Sequence, residues 1–146
     1  MDTAAAAIHI ISKYYGLKEV AGKANSPTIM AWIKKYFKWA KDDGAVAWCS
    51  IGLKEAFLEL GCKFPQVTPM AISWAGVGLG IPLHLAKFGD VVILKRKGGH
   101  HVGLFVRYSV RYDKLFILGF NQKNRCSIDE YNPNLVISVR NLKNAI

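Results

Sequence analysis

Acidic residues are scarce in this sequence: ten Asp and Glu face twenty Lys and Arg, a formal charge of +10. Such an excess leaves the fold open but favours anionic partners such as nucleic acid, anionic membrane or anionic wall polymer. It is equally compatible with a basic surface kept for solubility. Cysteine is scarcer still. Cys49, Cys62 and Cys126 form no CxxC pair, and no His–Cys spacing suits zinc. Neither a disulfide framework nor a metal or organic cofactor is expected, and synthesis in a reducing compartment is the simplest inference. Long apolar runs are also missing. Met1–Ile11 holds alanines but no basic stretch, and its apolar run is too short to span a bilayer. The expectation is a chain made in the cytoplasm without a recognisable signal peptide, which another factor must release if it acts outside. No repeat, low-complexity linker or βαβ unit is visible, which excludes solenoids and dinucleotide folds.

What is present fits one domain over residues 1–146, with 51% apolar and 21% charged residues, enough for a proper core. Asp2 or Thr3 can cap a helix running to about Tyr15, with Gly16 ending it. A short helical piece is expected over Leu17–Ala21. Asn25-Ser26-Pro27 then opens a helix to roughly Ala40, with Ile33, Tyr36, Phe37 and Ala40 on one face and Lys34, Lys38 and Lys41 on another. A third helix runs from about Cys49 to Leu60, closed by Gly61. Phe64 to Leu85 is rich in Gly and Pro and is expected as loop, with one helical turn near Met70–Trp74. Beyond it the period becomes two, and five strands are expected: Asp90–Arg96, His100–Tyr108, Lys114–Asn121, Arg125–Tyr131 and Leu135–Arg140. Helices first and an antiparallel meander afterwards define an α+β chain.

Cys49 stands where a coil turns into a helix. There its thiol meets the positive end of the helix dipole and unpaired backbone N–H groups, which should lower its pKa and can hold an oxyanion. On its own, a cysteine at a helix start is more often a small buried apolar residue. His101 adds a base. Val102, Leu104, Val106 and Tyr108 form one continuously apolar strand face, which leaves His101 on the other face beside the space at Gly103. His100 has the opposite parity, and His9 and His84 have no comparable setting. If the next hairpin turns near Arg111, opposing residues sum to about 222 and Asn121 falls opposite His101, able to accept a hydrogen bond from one ring nitrogen. Nucleophile, base and orienting amide would then form a triad, provided the register does not slip by one.

Trp48-Cys49-Ser50, Gly89-Asp90-Val91-Val92, Gly99-His100-His101-Val102-Gly103 and Leu118-Gly119-Phe120-Asn121-Gln122 together resemble the NlpC-like and CHAP-like cysteine peptidases and amidases. Within them the chain is most similar to a small single-domain branch common in phages and prophages, which Gly16-Leu17-Lys18-Glu19-Val20-Ala21-Gly22 with Asn25 and Pro27 also fits. The resemblance spans residues 14 to 140. It implies a compact papain-like fold, cleavage of peptidoglycan amide bonds in the manner of an endolysin-like endopeptidase or amidase, and Cys49, His101 and Asn121 as nucleophile, base and third polar residue. It also implies a monomer that needs no cofactor and takes stem peptides as its partner. Two departures are His100 intervening after Gly99, and Phe120 where many relatives carry a small residue. Asp43 and Glu19 match acidic positions of the branch, either at the site or as supports for the loop before Cys49. The competing reading is a non-catalytic basic binder of nucleic acid, supported by Trp32, Tyr36 and Trp39 among lysines, although no nucleic-acid motif is present. A third is a phage tail component that keeps the fold to penetrate the wall.

Overall fold

The computed structural model describes residues 3–20 and 25–143. Three helices come first: α1 (Thr3–Tyr14), α2 (Pro27–Lys34) and α3 (Cys49–Glu59). Asp2, one of the two expected caps for α1, lies outside the described residues. Ser26 caps α2, its hydroxyl accepting from the Ile29 N–H, with Pro27 at the first helical position. That helix stops at Lys34, short of the expected Ala40, and the chain continues through turns that still bury Ala40. The expected helical piece at Leu17–Ala21 is not helical over its described residues. Leu17 and Glu19 pair instead with residues 124–126: the Cys126 N–H donates to the Leu17 carbonyl, and the Glu19 N–H to that of Asn124. Ala21 and Gly22 lie outside the described residues.

The sheet has six strands rather than about five: β1 (Leu79–Ile81), β2 (Val91–Arg96), β3 (Gly99–Ser109), β4 (Lys114–Gln122), β5 (Arg125–Tyr131) and β6 (Val136–Asn141). Their order is β1-β6-β2-β3-β4-β5, with every pairing antiparallel. The unexpected β1 has three residues inside a Gly-rich run, too short for an alternation of two to register.

Strand alternation splits the buried side chains between the two faces of the sheet. Val91, Ile93, Val102, Leu104, Leu118 and Phe120 pack against the helices in the main core. Val92, Leu94, Phe105, Leu115, Ile117 and Val139 form a second cluster on the far face, with Tyr131 and Leu135 against it. Across the main core Trp32 is 7% exposed and meets the rings of Tyr14 and Phe120, so this aromatic is core. Trp39 is exposed and Tyr36 half-buried. Of the three aromatics behind the nucleic-acid reading, the one packed deepest is therefore unavailable to a base.

Two motif positions serve the fold. Gly89 has φ +94°, and a Cβ there would lie 2.5 Å from the Thr3 backbone, so α1 can approach only a glycine. Asp90 is buried, accepting from the Lys87 N–H and the Asn141 amide, which ties the entry to β2 to the end of β6.

Candidate active site

One extra residue in β4 creates the site. The β3–β4 ladder starts at Ser109↔Lys114, where numbers sum to 223, and shifts by one between Phe105 and Arg107, so that only Phe105↔Ile117 and Leu104↔Leu118 reach the expected 222. On the other edge β4 pairs Gly119↔Ser127 and then Gln122↔Arg125, so Phe120 and Asn121 together oppose the single residue Cys126. That is a β-bulge, and past it every side chain changes face. Asn121 takes the strained position, φ +58°, in the left-handed region that asparagine tolerates better than most residues.

The bulge replaces the expected partner of His101. No hydrogen bond joins Asn121 to His101 among the described residues. Gln122, the next residue, carries the Gly119 face and is buried. Its Oε1 lies 2.9 Å from His101 Nε2, while its Nε2 donates to the carbonyls of Ile117 and Ser127 at 3.1 and 2.8 Å. Two carbonyls can only accept, so they fix which end of the amide faces the ring. The Gln122 oxygen can only accept in turn, so His101 Nε2 carries the proton and Nδ1 is the free basic nitrogen. Asn121 half-lines the cleft over this group without entering the network. Gly119 makes room for it: a Cβ there would lie 2.5 Å from Gln122 Oε1 and 3.2 Å from His101 Nε2.

Cys49 reaches the same strand from the helix layer. Phe105 exchanges both backbone bonds with the β2 side, through Gly89 and Asp90. By alternation the Val102 N–H points the opposite way, into the gap that β4 vacates at its bulge. The Cys49 sulfur sits within the influence of that N–H, and of those of Ser50 and Cys49 itself, all of which favour the thiolate. Trp48 at the cap position makes no side-chain capping bond to the first-turn N–H groups of α3. Around the first turn, Ser50 donates to the Thr68 carbonyl at 2.6 Å and accepts from Trp74, while Glu19 accepts from the Trp48 indole at 2.8 Å. Asp43 accepts from the N–H groups of Val20 and Ser26, both at 2.7 Å. Glu19 and Asp43 thus brace the loop ahead of the cysteine.

The electrostatics depart from the expected low-pKa thiol. Burial pushes the Cys49 thiol upward and outweighs the backbone N–H groups and the Arg96 charge that pull it down. Burial also pushes His101 down, to about 4, with Arg96 acting in the same direction against Gln122 and Asp129. At neutral pH the resting pair is thiol and neutral imidazole rather than thiolate and imidazolium. Two neighbours were not singled out from sequence. The Tyr131 ring stacks on His101, centroids 5.7 Å apart, and Arg96 acts on Cys49, His101 and Tyr131 together. Cys49 opens to a cleft with His100, Met70 and Ile72; His101 opens to another with Gln122, Tyr131 and Asp129. Arg96 and Lys97 form the ridge common to both. Cys126 is fully buried, its thiol pushed up to about 12 by burial, and Cys62 donates weakly to the Leu60 carbonyl. His84 lies exposed at a turn and His9 beside Glu59, both away from these clefts.

No protein-family model and no curated protein matches the chain. Solved structures do. The P60 domain of an antigen from M. avium subspecies paratuberculosis superposes with a TM-score of 0.57 at 11% identity, over 96% of this chain and 94% of that one. The resuscitation promoting factor interacting protein RipA, solved in forms mutated at one cysteine and at one histidine, gives 0.56 at 17%, over 96% of this chain but 64% of its own. The NlpC/p60 domain of the peptidoglycan hydrolase SagA gives 0.50 at 17%, over 94% and 97%. The chain has the α+β, papain-like fold of the NlpC/p60 domains, with helices on one face of a six-stranded antiparallel sheet.

Proposed function

We propose that the chain is a cysteine-dependent hydrolase that cleaves amide bonds in the peptide part of bacterial peptidoglycan, as an endolysin-like endopeptidase or an N-acetylmuramoyl-L-alanine amidase. The observation that carries the reading is the convergence at Val102. A thiol on the first turn of α3 is favoured as thiolate by its N–H, and the adjacent His101 is held with Nδ1 free by a fully engaged Gln122. In the proposed cycle His101 Nδ1 takes the Cys49 proton as sulfur attacks the carbonyl carbon. The first-turn N–H groups of α3 hold the oxyanion. The imidazolium then protonates the leaving amine, and water attacks the thioester, returning the thiol. No hydrogen bond joins sulfur to imidazole at rest among the described residues; such contacts commonly tighten only around substrate. The NlpC/p60 fold and the peptidoglycan hydrolase among its solved members support the wall as substrate. The phage branch suggested by the motifs fits a protein made in the cytoplasm and delivered to the wall by another factor, as a free lysin or a tail component.

The test is mass spectrometry of purified peptidoglycan digested by the protein, with Cys49→Ala, Cys62→Ala, Cys126→Ala, His100→Ala and His101→Ala alongside. New amine and carboxyl ends at a single bond type are expected from the wild type and from the variants at 62, 100 and 126, and none from those at 49 and 101. Digestion by Cys49→Ala at the wild-type rate would remove the nucleophile and the reading with it.

A further inference from the structure

The ridge between the two clefts carries a cation that forms no ion pair among the described residues. Arg96 closes β2 at the tip of the β2–β3 hairpin, paired with Gly99, and its side chain is exposed. Among the described residues no carboxylate forms an ion pair with it; the ion pairs there involve only Glu55 and Glu59, far along the chain. Yet it lines both the Cys49 cleft and the larger His101 cleft of about 690 Å³. Lys97 shares the ridge, and Lys95 and Lys123 stand on the same rim, while Asp129 and Glu130 line the cleft from β5.

The Arg96 guanidinium favours ionisation of the Cys49 thiol but disfavours the imidazolium that must form on His101. Its planar fork matches one class of ligand, a carboxylate held by two parallel N–H···O bonds. A carboxylate bound there would lie on the ridge between the Cys49 and His101 clefts and cancel the charge that opposes protonation of His101.

We propose that Arg96 anchors a free carboxylate carried by the substrate beside its scissile amide. This rests on the hydrolase reading and narrows its substrate class to amides flanked by an unblocked acid. Arg96 is then a specificity-determining residue whose bound carboxylate also readies His101 for proton transfer.

Two arms test it. In the first, paired peptides differ only in a free carboxylate or a carboxamide beside the scissile amide. The wild type should favour the acid by about 10- to 100-fold in kcat/KM, the range of a charge-assisted hydrogen bond, and Arg96→Gln should lose the preference. The second arm needs no hydrolysis. Cys49 is alkylated with iodoacetate or iodoacetamide, its thiolate displacing iodide to give the thioether in each case, and the ratio of the two rates cancels any change in thiol pKa. Arg96→Gln should lower the iodoacetate-to-iodoacetamide ratio at Cys49 at least about fivefold, while Lys97→Gln and the ratio at Cys62 change little. An unchanged ratio at Cys49, or an acid preference surviving in Arg96→Gln, overturns the anchor. A ratio that falls while the wild type cuts no peptide upholds the anchor and removes the hydrolase reading. Cutting without preference and without a ratio change does the reverse.

Discussion

At the scale of single residues, one hydrogen bond decides which nitrogen of His101 is free to act as the base in the proposed cycle. Gln122 spends both amide hydrogens on carbonyls, so its oxygen can only receive the His101 Nε2 proton. Gln122→Ala leaves the ring free to change tautomer and to rotate, and should lower kcat by about 10²-fold, within the span of general acid–base contributions. Asn121→Ala removes a side chain outside that network and should leave kcat within about threefold of wild type. Steady-state kinetics on a defined stem peptide separates the two; a larger loss at Asn121 would return the orienting role to it. The His101 environment also sets a pH limit. The proposed cycle needs the neutral ring, and burial pushes its pKa down to about 4 from the usual 6.5. The base therefore stays available as pH falls through 6, and the acid limb of kcat/KM should lie near pH 4 in the absence of bound carboxylate. An acid limb near 6.5 would mean that the ring is solvated in the working enzyme.

At the scale of elements, β4 and α3 are shaped around one ring. Phe120, on the helix side of the bulge, is fully buried, and a Cβ on Gly52 would lie 2.6 Å from its Cγ. Gly52 is one turn beyond Cys49, so the glycine lets the bulged strand press against the first turn of α3, and the departure at position 120 is matched on the facing helix. Gly52→Ala should cost about 1–3 kcal/mol by overpacking, although alanine is the better helix former. In a Phe120→Ala background the clash is gone, and the same change should become neutral or stabilising by up to about 1 kcal/mol. Chemical denaturation of the four proteins gives the coupling; equal costs in both backgrounds would refute the contact.

The same bulge marks where sequence reading stopped. Strand periods and the helix start at Cys49 were legible, because alternation and capping are local signals; the hairpin sum was legible only to within one, being 223 at the turn and 222 past the shift in β3. The slip from Asn121 to Gln122 was not, since it depends on how β4 meets β5 on its far edge. A faint signal existed: of the pair, asparagine is the residue that tolerates a left-handed backbone, so it suits the bulge and leaves glutamine for the face. Arg96 was hidden for a related reason, because its importance comes from the place where two clefts meet. The raised thiol pKa came from burial, which no reading of the helix start supplies.

At the scale of the whole molecule, charge is the property left unpaired. Twenty basic side chains face ten acidic ones, and among the described residues the ion pairs are His9–Glu59, Lys13–Glu59 and Lys35–Glu55. Exposed Lys34, Lys38 and Lys41 near α2, and the rim of Lys95, Lys97 and Lys123, project a field with little local compensation. Such a field acts over the Debye length, about 8 Å at physiological salt and about 3 Å at 1 M, so it concentrates the protein on anionic polymer without touching the chemistry at Cys49. Co-sedimentation with insoluble wall should therefore fall steeply between low salt and about 0.5 M NaCl. It should fall again when anionic glycopolymers are stripped from the wall. Over the same salt range, kcat on a short soluble peptide should change by no more than about twofold, because a substrate already seated in the cleft is screened little. If wall binding ignores salt and stripping, retention comes from specific contacts; if kcat falls together with binding, the field acts inside the cleft as well as on approach to the wall.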